Sequence, residues 1–422
     1  MTNLASNLGQ SIKETFAPAF DVARIREDFP ALHQQINGQP LIYLDTAATC
    51  HKPRILVERL HELYLEHYAK PHENHPMSVA ITEQLENARQ IVADEINASK
   101  DEIVFVRGCT EGINLIATCF ERAILQEGDE VIVTMMAHHS NYLPWEMACH
   151  QTKAILKVLP ITGSGEIDLN QLEEALTDKT KILAIEHSSH VLGTINPIRE
   201  IVKLAHQRNI PVLVDGAQAM PHMPVDVRDL GCDFYTFSAH KMAGPSGVGV
   251  LYGRKEWLDK LPPYQLGEDM VDTVSIARTF STTQSSFKSG YQRFEGGAQA
   301  FVEIIAFGTI LEYLQGLGRQ TIADYEQSLL RYLIQKLEPL ERVSIVGSAP
   351  EKEPLVSFTI DGIKAKKAES WFNEHTGIAL RAGDLSAQPL LKSLSLEGVL
   401  RASLGYFNTH QEIDQFVDAL QE

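Results

Sequence analysis

The chain has 422 residues, with 37 Lys+Arg against 55 Asp+Glu for a formal net charge of −18, and 44% of its residues are apolar. That length and apolar share suit two or three folded domains, while the acidic balance, with no compensating basic run, argues against a general nucleic-acid or anionic-membrane binder. No apolar run approaches the ~20 residues of a membrane-spanning helix, and the N-terminus lacks the basic and apolar regions of a secretory signal. In chain order, a segment over 1–40 comes first, with a stretch around 22–32 expected to pack against the C-terminal domain. A long helix over 78–98 leads into a large domain spanning 41–297. There, strands are predicted at 102–107, 130–135, 154–159, 181–186, 211–215, 233–238 and 247–252, alternating with amphipathic stretches at 112–125, 169–176 and 199–207. Continuous Val/Ile/Leu runs alternating with helices point to a mainly parallel sheet buried on both faces. The Ser/Thr/Gly-rich stretch 261–297 reads as a long polar connection. Beyond it, 298–422 carries helices at 301–317 and 320–337. Strands at 343–346, 355–360 and 399–404 follow, with helices at 366–375 and 410–420, the texture of a smaller α+β domain.

Four signals bear on chemistry. In TFSAHK (236–241), followed by GPSGVG, a lysine sits at a strand end among Ser, His and Gly. Lys241 there can form a Schiff base with a carbonyl cofactor, with Ser238 and His240 as phosphate donors, although an isolated lysine after a strand is also an ordinary surface residue. Upstream, PVLVDGAQ (211–218) puts Asp215 just past a buried strand, where a carboxylate needs a cationic partner such as a protonated pyridine nitrogen, or serves as a turn or cap. RGCTEGIN (107–114) is a strand–turn–helix junction whose backbone N–H groups and Thr110 hydroxyl form an anion site or a plain N-cap. In MAHHSN (136–141), His138 follows a strand and can lie flat on an aromatic cofactor, or be structural. All four lie at carboxyl ends of strands, where open α/β sheets bind ligands. The five cysteines, at 50, 109, 119, 149 and 232, have no metal-binding spacing; no metal is expected, and reduced thiols in a cytoplasm are.

The motifs YLDTAAT (43–49), RGCTEGIN, HSSHVLGTINP (187–197), VDGAQAMPHMPVDV (214–227), DFYTFSAHKMAGPSGVGVLYG (233–253), FEGG (294–297) and LRASLGYFN (400–408) resemble, in order, those of the sulfur-mobilising cysteine desulfurases, in the class V aminotransferase group of pyridoxal-phosphate enzymes. The resemblance implies an aspartate-aminotransferase-like α/β fold (fold type I) with a large mainly parallel seven-stranded sheet and a smaller α+β domain. It also implies a homodimer, pyridoxal 5′-phosphate and a small amino-acid substrate. By the same resemblance Lys241 would carry the cofactor and move the Cα proton, His138 would stack on its ring, and Asp215 would pair with the ring nitrogen. Gln218 would bond near the phenolic oxygen, and Thr110, Ser238 and His240 would hold the phosphate, with Cys109 at the same junction. Arg381 and Arg401 resemble the two arginines that bind the substrate carboxylate, a task suited to a planar fork of donors.

The sequence also departs from that family. Where the family's mobile loop carries its nucleophilic cysteine, this chain reads RAGDLSAQP (381–389), with Ser386 at that place and no cysteine after Cys232. A neutral hydroxyl cannot carry and hand on a persulfide. His190 stands for an Asn near the phenolic oxygen, Ala298 for a Thr reaching the neighbouring subunit, Ala137 for an acidic residue, and Glu73 and Asn74 lie where the family has an Arg. The expectation is a C–S β-lyase on cysteine, cystine or a cysteine conjugate. The alternatives are an aminotransferase or epimerase on a specialised amino acid, a desulfurase using another cysteine such as Cys50, and a catalytically silent binding protein.

Overall fold

The computed structural model describes residues 20–276 and 283–422. Seven strands form the central sheet: β1 (Ile103–Val106), β2 (Glu130–Thr134), β3 (Ile155–Leu159), β4 (Thr180–Glu186), β5 (Val212–Asp215), β6 (Phe234–Ser238) and β7 (Gly249–Gly253). Their spatial order is β1-β7-β6-β5-β4-β2-β3. β7 runs antiparallel to both neighbours, and the other adjacent pairs are parallel. β1, β2, β5, β6 and β7 are buried at every residue, as apolar runs covered on both faces must be, whereas the edge strand β3 is half-exposed.

Helices cover both faces, most through an apolar stripe at helical spacing and Phe301–Leu317 as a helix apolar nearly all round. Cys109–Ala123 buries Ile113, Ile116, Ala117 and Phe120 against one face. Ile198–His206 buries Ile198, Ile201, Val202 and Ala205 against the other, with Pro76–Glu95 and Phe301–Leu317 in the same core. A Cβ at Gly112 would lie 2.2 Å from Thr236 Oγ1, and one at Gly249 would lie 2.4 Å from the Gly108 Cα. Glycine at these two positions lets the Cys109–Ala123 N-terminus sit directly on β6 and β7.

The C-terminal unit is a four-stranded antiparallel sheet in the order Val343–Val346, Leu355–Ile360, Val399–Ser403, Arg381–Gly383. Arg319–Leu337, Ala365–His375 and His410–Gln421 cover it, the last opened by a Thr409/Glu412 capping box. Ile42–Tyr43 pairs parallel with Ile378–Ala379 and brings Asp45 and Ala47 to the junction of the two units. The Val22–Glu27 helix and following turn reach both units: Ile25, Phe29 and Leu32 join the large core, and Arg26 pairs with Glu412. No single helix among the described residues is long and apolar enough to cross a membrane.

The 261–297 stretch differs from its sequence reading. It contains an antiparallel hairpin, Val271–Ile276 with Thr283–Phe287, and a short turn of helix at Gly290–Arg293. Alternating Ser, Thr and β-branched residues suit a strand, but with polar side chains on both faces they leave no burial signal. The end of this stretch is anchored by Glu295, which takes two 2.8 Å bonds from buried Arg89 and one of 2.6 Å from the Phe105 N–H of β1.

Candidate active site

A cavity of ≈ 250 Å³ opens at the carboxyl ends of the parallel strands, against the C-terminal unit. Lys241, His138, Cys109, Thr110, His190, Asp215, Gln218, Ser238, His240, Arg381, Arg401 and Ser386 all line it. Strand ends β1, β2, β4, β5 and β6 deliver the first nine of these from loops that begin within a few residues of the sheet; the last three come from the C-terminal sheet and its loop.

Lys241 follows β6 in a short helical turn and has no hydrogen-bond or ion-pair partner among the described residues. Burial lowers its pKa from the usual lysine value, against the raising influence of Asp215. A buried amine with less tendency to hold a proton is a better nucleophile toward a carbonyl. Asp215 ends β5; its Oδ1 accepts the Cys109 thiol at 3.1 Å and the Ala217 N–H at 3.0 Å.

The junction after β1 has the form of an anion site. Gly108 caps the fifteen-residue helix without any side-chain cap, and the Cys109 N–H donates to Ser238 Oγ at 2.8 Å. Thr110 Oγ1 lies 2.9 Å from Ser140 Oγ. Helix N–H groups with three hydroxyls supply donors for a phosphate. His240 Nδ1 stands 3.1 Å from Thr49 Oγ1, and burial drives its pKa down to about 4.

His138 accepts the Ser140 N–H at Nδ1 (3.0 Å), which leaves the ring proton of the neutral form on Nε2. Burial, and then the Lys241 charge, lower its pKa to about 4, so the ring is neutral at physiological pH. His190 meets it edge to face with centroids 4.8 Å apart. Gln218 Nε2 donates to Ala47 O at 3.0 Å, while its buried Oε1 has no partner.

Arg381 and Arg401 are cross-strand partners in the C-terminal sheet. Arg401 is buried; it donates to His190 O at 2.9 Å and pairs with Asp45 at 3.0 Å, its Nε left without a partner. Arg381 is exposed. Between the cavity and a neighbouring one stands the Ser386 loop, with Leu385 and Ser386 both left-handed (φ 52° and 59°). His190 Nε2 donates to Leu385 O at 2.9 Å, and the His139 N–H donates to Ser386 O at 2.9 Å.

Cys50 does not line the cavity, which corrects its choice as the stand-in thiol. It is 5% exposed and burial pushes its pKa up to about 12; the thiol in the cavity is Cys109, held protonated by burial and Asp215. Ala298 lies at another depression, with Arg89 and Glu295. Glu186, at the end of β4, lines the cavity without having been singled out from the sequence. The signal was the one that marked Asp215: a carboxylate at the carboxyl end of a buried strand.

An amine, a neutral imidazole face, a carboxylate and a hydroxyl-rich helix N-terminus suit an aromatic carbonyl cofactor bearing a phosphate. The unpartnered Lys241 amine and the orphaned Gln218 Oε1 and Arg401 Nε fit such a group and its bound amino acid. The site and fold thus define a pyridoxal-phosphate enzyme of fold type I. Residues 42–416 match the family described as Aminotransferase class-V. A cysteine desulfurase from Yersinia pestis is 40% identical over 404 residues, covering 95% of this chain and 98% of the relative. A solved cysteine desulfurase from Escherichia coli superposes with a TM-score of 0.87 at 34% identity, covering 96% and 98% of the two chains. One from Thermococcus onnurineus, in its apo form, gives 0.88 at 30% identity, covering 94% and 97%. The chain belongs to the class-V aminotransferase family, among the cysteine desulfurase-like enzymes, whose cofactor is pyridoxal 5′-phosphate.

Proposed function

We propose that this protein is a C–S β-lyase acting on cysteine or a cysteine-derived α-amino acid, releasing the sulfur as a thiol. The balanced reaction is RS–CH₂–CH(NH₃⁺)–COO⁻ plus water to RSH, pyruvate and ammonium. The observation that carries this reading is Ser386. The loop that in the resembling desulfurases offers a persulfide-forming thiol offers a hydroxyl here, and all five cysteines are buried.

Bound pyridoxal phosphate supplies an electron sink for the charge left when the substrate's Cα proton departs. In this reading Lys241 takes that proton and returns it to product, a task suited to an amine whose burial lowers its pKa. Asp215 would hold the ring nitrogen, His138 would cover a ring face, Gln218 would bond beside the phenolic oxygen, and Thr110, Ser238 and His240 would hold the phosphate, with the Cys109 N–H fixing the Ser238 hydroxyl. Arg381 and Arg401 clamp the substrate carboxylate from adjacent strands and orient Cα toward Lys241. The Ser386 loop, held by His190 and by the His139 N–H, offers no swinging thiol, which supports elimination.

His190, an imidazole against His138 whose backbone carbonyl accepts from Arg401, favours a second reading, aminotransfer on a specialised amino acid. Identifying the carbon product from L-cysteine separates the readings. Pyruvate with ammonia supports elimination; alanine means that sulfur is abstracted as in a desulfurase, overturning the lyase reading; formation of the pyridoxamine form without pyruvate supports aminotransfer. In the same reading the protein is a cytoplasmic homodimer. Val57, Tyr64, Leu65, Tyr68, Met77 and Val79 expose 45–70% of their surface along two helices and the link between them, a patch a second copy covers. Sedimentation of the purified holoprotein tests this, and a monomer overturns it.

A further inference from the structure

Glu186 and Asp215 are the last residues of adjacent parallel strands β4 and β5 and are partners in register. Side chains at paired positions of neighbouring strands emerge on the same face, ~5 Å apart. Both carboxyls line the cavity, at 3% and 7% exposure. At such neighbouring buried positions the charge on Asp215 opposes ionisation of Glu186.

The contacts divide the roles. Both donors on Asp215, the Ala217 N–H and the Cys109 thiol, converge on Oδ1. Glu186 instead meets the Thr134 hydroxyl at 2.7 and 2.8 Å, one from each oxygen, and Asn196 Nδ2 at 3.3 Å. A hydroxyl accepts from a carboxylic acid as readily as it donates to a carboxylate. The charged or titratable groups lining the cavity around Glu186 are Asp215 and Cys109, with Lys241, His138, His190, His240 and the two arginines on its other walls.

We infer that Glu186 is a positioning residue for the cofactor ring: as the neutral member of a two-carboxyl floor, it leaves Asp215 the single anion facing the ring nitrogen. The inference rests on the reading of Asp215 as that nitrogen's partner. Burial, opposed by Thr134 and Asn196 and reinforced by Asp215, raises the Glu186 pKa to about 7, so the neutral form dominates below neutrality and ionisation above it adds a second negative charge beside the ring.

The test is a pH titration of the holoprotein's visible absorption, paired with infrared difference spectra of the cofactor-free protein. The cofactor-free wild type should show a protonated-carboxyl stretching band that disappears around pH 7, and the holoprotein a pH-dependent visible transition coupled to that carboxyl. Glu186→Gln should keep its cofactor, lose the band and shift the visible transition away from its wild-type pH. Thr134→Val removes a contact that lowers the Glu186 pKa, so its transition should move to higher pH. A merely structural Glu186 would alter stability in the variant but leave the transition in place, which overturns the inference. A wild-type holoprotein spectrum that is flat with pH overturns it too, while the cofactor reading survives. Failure of wild type to take up pyridoxal phosphate overturns both.

Discussion

His190 Nε2 donates to the Leu385 carbonyl at 2.9 Å, joining the end of the large sheet to a loop where two consecutive non-glycine residues adopt left-handed backbone. The bond holds that strained pair over the cavity. Burial keeps the His190 ring neutral, so one ring nitrogen is free to serve as the donor. His190→Ala leaves a buried carbonyl unpaired, at a cost of about 1–3 kcal/mol. The expected outcome is a lowered Tm and faster hydrogen exchange at Leu385–Ala387, with the strands Val271–Ile276 and Thr283–Phe287 unaffected. Unchanged exchange in the loop would show that the His139–Ser386 bond alone secures it.

Ser386 is expected to be dispensable. If the hydroxyl takes no part in breaking the C–S bond, Ser386→Ala changes kcat/KM for pyruvate release by less than about tenfold, equivalent to 1.36 kcal/mol of barrier. A larger loss makes the hydroxyl part of the chemistry and counts against elimination as proposed.

Much of this site was legible in the sequence because its parts lie where α/β sheets always present them, just past strand ends. Asp215, Lys241 and Thr110 were found by that rule, from the apolar runs of β5, β6 and β1. Glu186 obeys the same rule and was overlooked, since its strand leads into a histidine-rich motif that drew attention to His190. The Asp45–Arg401 pair was invisible because it joins residues 356 positions apart, through a two-stranded pairing too short to show periodicity. The pairing of Val271–Ile276 with Thr283–Phe287 left no trace for a different reason: its Ser- and Thr-rich sequence shows no apolar alternation. Cys50 suggested itself through a motif whose Ala47 and Ala48 line the cavity, but its own side chain lies in the core, the buried apolar cysteine that its sequence context equally allowed.

Arg381 and Arg401 are not equivalent. Arg401 already spends its guanidinium on His190 O and Asp45, whereas exposed Arg381 has no partner among the described residues. Arg381→Lys keeps the charge and loses the planar fork, removing at least one charge-assisted bond worth about 1.5–3 kcal/mol. KM for the amino acid should rise roughly 10- to 100-fold by that measure while cofactor absorption stays as in wild type. Equal losses in cofactor content and KM would place Arg381 in the fold's support and not at the substrate.

Glu353, 2% exposed, lies in a buried group with His222 and Glu326, whose ring nitrogen and carboxylate meet at 2.8 Å. Burial raises the Glu353 pKa from 4.5 to about 8, against lowering influences from His222 and the Ser188 hydroxyl. A carboxyl raised in this way binds its proton more tightly in the folded chain than in the unfolded one. Its contribution is therefore complete below pH 4.5 and is lost as pH rises toward 8. Over that window the loss is at most about 1.4 kcal/mol per pH unit. Glu353→Gln has no proton to lose, so the stability difference between variant and wild type, measured by urea unfolding, should shift steadily in the variant's favour as pH increases. A difference that stays constant across the window would mean that Glu353 is ionised in the folded protein, held by His222 in its charged form.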